Sequence, residues 1–204
     1  MNKLIPIKNI YNAFQKDTFN IGQYVTYVVI GACNMNCFFC NKNFKLTDSK
    51  QNYPIGLAVE EIKKFAKDTE YIIFTGGEPL LFLDMIILLT VEFKVFYKYQ
   101  IGIETNGSIN LSDNQFSLFD NIVISPKAWS NQLLLKECHS LILLYPYKYA
   151  NVYPDFSKEF YTACAYYIKP IQGLTISTDE DNLEQAKCEV IKLGKPWRLS
   201  LGVV

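Results

Sequence analysis

The chain has 204 residues, half of them apolar, which suffices for one sizeable core and is too short for two comfortable domains. Its 20 basic residues balance its 20 acidic ones, and this excludes the concentrated positive charge by which proteins hold nucleic acid or an anionic membrane. No long apolar run opens the sequence, and the longest one, 85–91, stops at Glu92 and Lys94, so the expectation is one soluble, cytoplasmic domain over 1–204 without signal peptide or membrane span.

Taken in chain order, short apolar runs predict strands over 24–30, 71–75, 101–105, 121–125, 141–145, 166–169 and 197–201. Helical periodicity fills the gaps at 57–68, 84–98 and 181–193. In the first helix Leu57, Ile62, Phe65 and Ala66 share one face, with Glu60, Lys63, Lys64 and Lys67 opposite. The last helix ends before Gly194 and Pro196, as helices commonly do. Region 125–166 carries little helical pattern and reads as loop-rich. Strand–helix alternation implies parallel strands with helical crossovers, hence an α/β fold, open sheet or barrel.

In such folds ligands gather at the carboxyl ends of strands. Four polar segments fall there: Cys33–Cys40 after the first strand, Thr75–Glu78 after the second, Glu104–Gly107 after the third and Ser125–Lys127 after the fourth. The run Cys33-Asn-Met-Asn-Cys37-Phe-Phe-Cys40 spaces three thiols as C-x3-C-x2-C. Thiolates so close can wrap a loop around one 4Fe–4S cubane and leave its fourth iron open, whereas an electron carrier normally has four cysteines. A zinc site would need a fourth donor, and the lone His139 is far away in sequence. Cys138, Cys164 and Cys188 are isolated and read as core packing, and His139 as structural. Phe38 and Phe39 read as a shield against water, which would tune a cluster's potential. In Phe74-Thr-Gly-Gly-Glu-Pro79 the paired glycines let a ligand approach the backbone, and the glutamate can accept hydrogen bonds from an ammonium group.

The three cysteines followed by Gly-Gly-Glu-Pro resemble the signature pair of the radical S-adenosylmethionine (SAM) superfamily. That resemblance implies a compact partial (β/α) barrel. It implies that Cys33, Cys37 and Cys40 hold the cluster, that SAM chelates the open iron, and that Gly76, Gly77 and Glu78 meet its methionine end. Glu104-Thr-Asn-Gly107, Ser125-Pro-Lys127, Tyr167-Ile-Lys-Pro170 and Trp197-Arg-Leu-Ser-Leu201 occur in the order seen in 7-carboxy-7-deazaguanine synthases, the QueE family. Ala13-Phe-Gln-Lys-Asp-Thr18, with Gly22, is similar to that family's Ser-Ile-Gln-Gly-Glu-Gly…Gly.

By that resemblance Thr105, Ser125, Pro126 and Lys127 join Gly77 at SAM, while Gln15 and Thr75 touch a pterin-like substrate. The implied reaction begins with a flavodoxin or ferredoxin reducing the cluster, which cleaves SAM to a 5′-deoxyadenosyl radical. It ends in the ring contraction of 6-carboxy-5,6,7,8-tetrahydropterin to 7-carboxy-7-deazaguanine, a step toward queuosine-type bases. A homodimer is compatible with the same resemblance.

Three departures stand out. Val29 occupies the position of an arginine that grips the substrate carboxylate in the family. Asn41 and Lys42 follow the third cysteine where the family has Asp and a magnesium-binding hydroxyl, so Lys42 is expected to supply a positive charge in place of Mg²⁺. The chain ends at Gly202-Val-Val204 without the family's Gln-Thr-His-Lys-like tail. Two rival readings exist: a small glycyl-radical activase, which would share the cysteine and Gly-Gly-Glu motifs but not Ser-Pro-Lys or Trp-Arg-Leu-Ser-Leu, and a non-catalytic iron–sulfur carrier or zinc-stabilised binding module. The latter class leaves Gly-Gly-Glu-Pro unexplained.

Overall fold

The computed structural model describes residues 4–18, 21–37, 40, 52–127, 133–145, 163–171 and 176–200, without the side chains of 176–178. The chain divides into two compact units, one of residues 1–14, 23–105 and 111–122, the other of 15–22, 106–110 and 123–204.

In the first unit the strands run in the order β3 (Asn52–Pro54), β1 (Leu4–Phe14), β2 (Tyr24–Ile30), β4 (Tyr71–Gly76), β5 (Gln100–Thr105). β1 is antiparallel to both β3 and β2, while β2, β4 and β5 are parallel. Val28, Phe74 and Ile103 lie in register across the three parallel strands. That face, with Ile30, Ile72 and Ile101, is fully buried. Helix α1 (Ile55–Ala66) packs on β1 and β2, and α2 (Leu83–Tyr97) packs on β5 and α1. The opposite face carries Val25, Tyr27, Tyr71 and Ile73 as a buried cluster, with Tyr11 and Ala13 against it.

Two strands absent from the sequence reading appear here, β1 and β3. The α1 stripe also differs from expectation: Ala58, Val59, Ile62 and Ala66 are buried, whereas Leu57 and Phe65 are exposed. The helix starts at Ile55, and the small side chains of Ala58 and Ala66 let it sit close to the sheet, which rotates its two bulkier residues outward. The short α3 (Asp113–Phe116) begins with a capping box in which Ser112 accepts from the Gln115 N–H and the Gln115 side chain accepts from the Ser112 N–H.

In the second unit the end of β6 (Asn121–Ile124) pairs in parallel with β7 (Ser140–Tyr145). β7 pairs with β8 (Ala165–Pro170), and β8 with β9 (Trp197–Leu199). Helix α4 (Ile176–Leu193) packs on β7, β8 and β9. Of the isolated cysteines only Cys138 is in the core, where burial and then the neighbouring Cys164 push its thiol up to about 12. Cys164 and Cys188 are exposed, contrary to the core role expected of them: Cys164 precedes β8 and Cys188 sits on the outer side of α4.

Candidate functional site

The cysteine loop leaves β2 through Gly31 and Ala32. Cys33 and Cys37 are half-buried and Cys40 is exposed, and none of the six cysteines is in a disulfide. The Met35 N–H donates to Cys33 Sγ (3.4 Å), and the Cys40 N–H to the Cys37 carbonyl (3.0 Å), so the loop is already turned so that its backbone meets its own sulfur. Among the described residues no three Cys, His, Asp or Glu side chains gather closely enough for one metal ion. Three thiols in one loop are the donor set a cubane takes, each thiolate binding a separate iron. Phe38, Phe39, Asn41 and Lys42 lie outside the described residues.

The segment after β4 is laid directly on this loop. The Gly77 N–H donates to the Ile30 carbonyl (3.0 Å) and the Glu78 N–H to the Ala32 carbonyl (2.8 Å). A Cβ on Gly76, at φ +117°, would come within 2.5 Å of the Ile30 carbonyl oxygen; one on Gly77 would overlap Ala32 and stand 2.9 Å from Cys33 Cβ. The glycine pair is therefore required first by the close approach of the chain's own cysteine loop, a cause the sequence reading had assigned to the ligand.

Glu78 is completely buried. Its Oε1 accepts from the Leu80 N–H (3.0 Å), capping a single 3-10 turn over Pro79–Phe82, and from the Thr105 hydroxyl (2.7 Å) at the end of β5. Thr75, also expected at the site, donates to Glu104 Oε2 at 2.7 Å. Glu104 was named in the sequence reading only within the polar segment after the third strand, and Tyr11 was not singled out. Tyr11 stacks on Tyr27 with centroids 5.3 Å apart, and burial, then the Glu104 charge, raises its hydroxyl above the usual tyrosine range. The strand parity of Thr75 and Glu104 was the available signal; for Tyr11 it was hidden with β1. Val29 is buried and pairs with Thr75 in register, its Cγ1 lying 3.0 Å from where a Gly76 Cβ would stand. Val29 thus makes an apolar contact at the end of β2.

In the second unit Lys127 Nζ donates to Ser125 Oγ (3.0 Å), with Pro126 buried between them. Gln15 is buried and its Oε1 accepts from the backbone N–H of Lys16 (3.1 Å), shaping its own turn. The next residues bring together three segments distant in sequence: Asp17 forms an ion pair with Lys169 at the end of β8 and accepts from the Ser200 hydroxyl just beyond β9. Thr18, beside them, is 2% exposed with φ +70°, and its hydroxyl has no partner among the described residues.

Residues 27–141 match the radical SAM superfamily. Among curated proteins the chain is 31% identical over 157 residues to the 7-carboxy-7-deazaguanine synthase of Bradyrhizobium diazoefficiens, covering 69% of this chain and 71% of that one. It is 25% identical over 194 residues to the enzyme of that name from Aquifex aeolicus, covering 94% and 85%. Among solved structures it superposes on QueE from Escherichia coli with a TM-score of 0.64 at 16% identity, over 98% of this chain and 95% of that one. That likeness shows the fold, the α/β fold of the radical SAM type expected from the motifs.

Proposed function

The chain belongs to the radical SAM superfamily and, within it, to the 7-carboxy-7-deazaguanine synthase family, and from that premise we propose that it converts 6-carboxy-5,6,7,8-tetrahydropterin to 7-carboxy-7-deazaguanine. The observation that carries the reading is the backbone clamp of Gly77 and Glu78 on the cysteine loop, which ties the cluster ligands to the SAM segment within one rigid turn. Cys33, Cys37 and Cys40 hold the cluster, and Gly76, Gly77, Glu78, Thr105, Ser125, Pro126 and Lys127 hold SAM. With electrons from a flavodoxin or ferredoxin, the bound cluster and SAM supply the 5′-deoxyadenosyl radical. Buried walls around Glu78 and Phe74 exclude water from that end of the sheet.

Gln15 and Thr75 face the substrate in this reading, with Glu104 fixed by Thr75 as a carboxylate acceptor for ring N–H groups. Val29 offers no grip on a substrate carboxylate, and Lys42 is assigned the charge that magnesium provides elsewhere in the family. The test is anaerobic incubation of reconstituted protein with SAM, dithionite and the carboxypterin, followed by mass spectrometry. Formation of 5′-deoxyadenosine and 7-carboxy-7-deazaguanine, undiminished by a magnesium chelator, is the expected result. Product that vanishes with chelator and returns with magnesium refutes the role of Lys42. 5′-Deoxyadenosine without the deazaguanine refutes the substrate and leaves the radical chemistry standing.

A further inference from the structure

Lysine is seldom buried, because an ammonium group stripped of water is costly unless its charge is met. Lys169, near the end of β8, is buried all the same, with its side chain 12% exposed. The backbone around it is fixed on both sides. The Ile168 carbonyl accepts from the Ser200 N–H (2.8 Å), and the Ile171 N–H donates to the Tyr145 carbonyl (2.8 Å) at the end of β7. Asn182 on α4 then donates its side-chain amide to the Ile171 carbonyl (2.7 Å).

The ammonium is only partly used. Of its three N–H donors one goes to Asp17, and the other two have no partner among the described residues. Asp17 is fully engaged, since its second oxygen accepts from the Ser200 hydroxyl. A carboxylate held at both ends steadies the lysine, and the two spare donors define a place for a second anion. A carboxylate bound there would lie about 3 Å from Nζ and about 5–6 Å from the Asp17 carboxylate, beyond the nitrogen. Coulomb energy falls as the inverse of distance, so attraction exceeds repulsion about twofold.

Position selects the anion. Gln15, which faces the substrate in the proposed function, shares one turn with Asp17. The Asp17 N–H donates to Gln15 Oε1 (3.5 Å), and the Gly22 N–H closes the turn on the Gln15 carbonyl (2.8 Å). Among the described residues the other cation at a carboxyl end of this unit's strands is Lys127, which contacts Ser125 and is assigned to SAM. We infer that Lys169 binds the carboxylate of the substrate, with Asp17 and Ser200 holding its ammonium in place. The inference rests on the carboxypterin reading of the substrate and is independent of what the radical does to it.

Anaerobic calorimetry on the reconstituted holoenzyme, with SAM and without reductant, tests it. The two probes are 6-carboxy-5,6,7,8-tetrahydropterin and the tetrahydropterin that lacks the carboxylate. Wild type is expected to bind the first about ten- to a hundredfold tighter. Lys169→Met alone strands Asp17, so the informative variant is Lys169→Met/Asp17→Asn, which removes both charges together. It should bind the two pterins equally, hold the uncarboxylated one as wild type does, and keep its affinity for SAM. Lys16→Ala removes an exposed cation from the same turn and should keep the preference. A double variant that still prefers the carboxylated pterin overturns the inference, as does one that loses both pterins alike, because Lys169 would then serve the shape of the site. Weakened SAM binding with the preference intact also overturns it, by giving Lys169 to the carboxylate of SAM. Wild type that binds both pterins equally refutes the grip whatever product forms. Wild type that prefers the carboxylated pterin and yields no deazaguanine on reduction refutes the reaction and leaves the grip standing.

Discussion

Thr18 is a β-branched residue held at φ +70°, buried, with its hydroxyl unpaired among the described residues. Replacing it with glycine therefore removes two costs together. The left-handed backbone costs a residue with a Cβ about 1–2 kcal/mol. A buried hydroxyl without a partner costs about 1–3 kcal/mol. Against this, losing the Cβ and its methyl sacrifices about 1.6 kcal/mol of burial, and glycine's greater freedom in the unfolded chain costs about 0.4–1 kcal/mol. Gains of about 2–5 kcal/mol against costs of about 2–2.6 kcal/mol leave a balance between about −0.6 and +3 kcal/mol; at an m-value of about 2 kcal/mol/M the urea midpoint lies between about 0.3 M below and 1.5 M above wild type. Thr18→Ala keeps the Cβ and its strain and removes the hydroxyl and methyl, for a gain of about 0.2–2.2 kcal/mol. Anaerobic urea titrations followed by circular dichroism measure both. A Thr18→Gly midpoint more than about 0.3 M below wild type would falsify the strain argument.

Three further outcomes follow from the same geometry. Gly77→Ala must move the Ala32–Cys33 backbone, so stability falls by about 1–3 kcal/mol and iron per chain falls with it; Gly56→Ala, in open space on α1, is the control and gains about 0.5–1 kcal/mol. Glu78→Gln keeps an acceptor for Leu80 and Thr105 but loses the charge, so calorimetry should find SAM binding weakened by about 1.5–3 kcal/mol with iron content intact; unchanged affinity would remove Glu78 from the SAM site. Lys169→Met strands the Asp17 carboxylate, whose side chain is 12% exposed, and costs about 3 kcal/mol, whereas adding Asp17→Asn recovers part of that loss; simple additivity would mean that the ion pair contributes nothing.

The chemistry of this chain was more legible in its sequence than its architecture. Cysteine, paired glycine and glutamate are chosen for what they can ligate or permit, so C-x3-C-x2-C and Gly-Gly-Glu-Pro stand out wherever they fold. β1 did not stand out because Lys8, Asn9 and Asn12 interrupt its apolar pattern, and its register shifts between Ile7 and Asn9, which breaks a period of two. Tyr11 went unnoticed with it. The Asp17–Ser200 contact spans 183 residues, and no local pattern encodes such a contact; all three segments had been read as family-like pieces, without the ion pair that joins them. The exposure of Leu57 and Phe65 has the same origin, since periodicity finds an apolar face but the sheet decides which edge of it is covered.

The pattern of departures from related sequences follows from how each half of the site is built. Cysteine loop and SAM segment are joined by main-chain hydrogen bonds, Gly77 to Ile30 and Glu78 to Ala32, which any sequence can make once no Cβ stands in the way. Such a joint makes no demand on the side chains around it beyond the two missing Cβ atoms. Positions assigned to the substrate act through side-chain tips, whose chemistry changes with a single substitution. Val29 and Lys42 are departures of that kind. The Asp17 carboxylate is committed to Lys169 and Ser200, so the residue that follows Gln15 and Lys16 fastens its own loop to the ends of β8 and β9. The two joints differ in kind: main-chain hydrogen bonds fasten the segment after β4 to the cysteine loop, and side-chain tips fasten the Asp17 loop to β8 and β9.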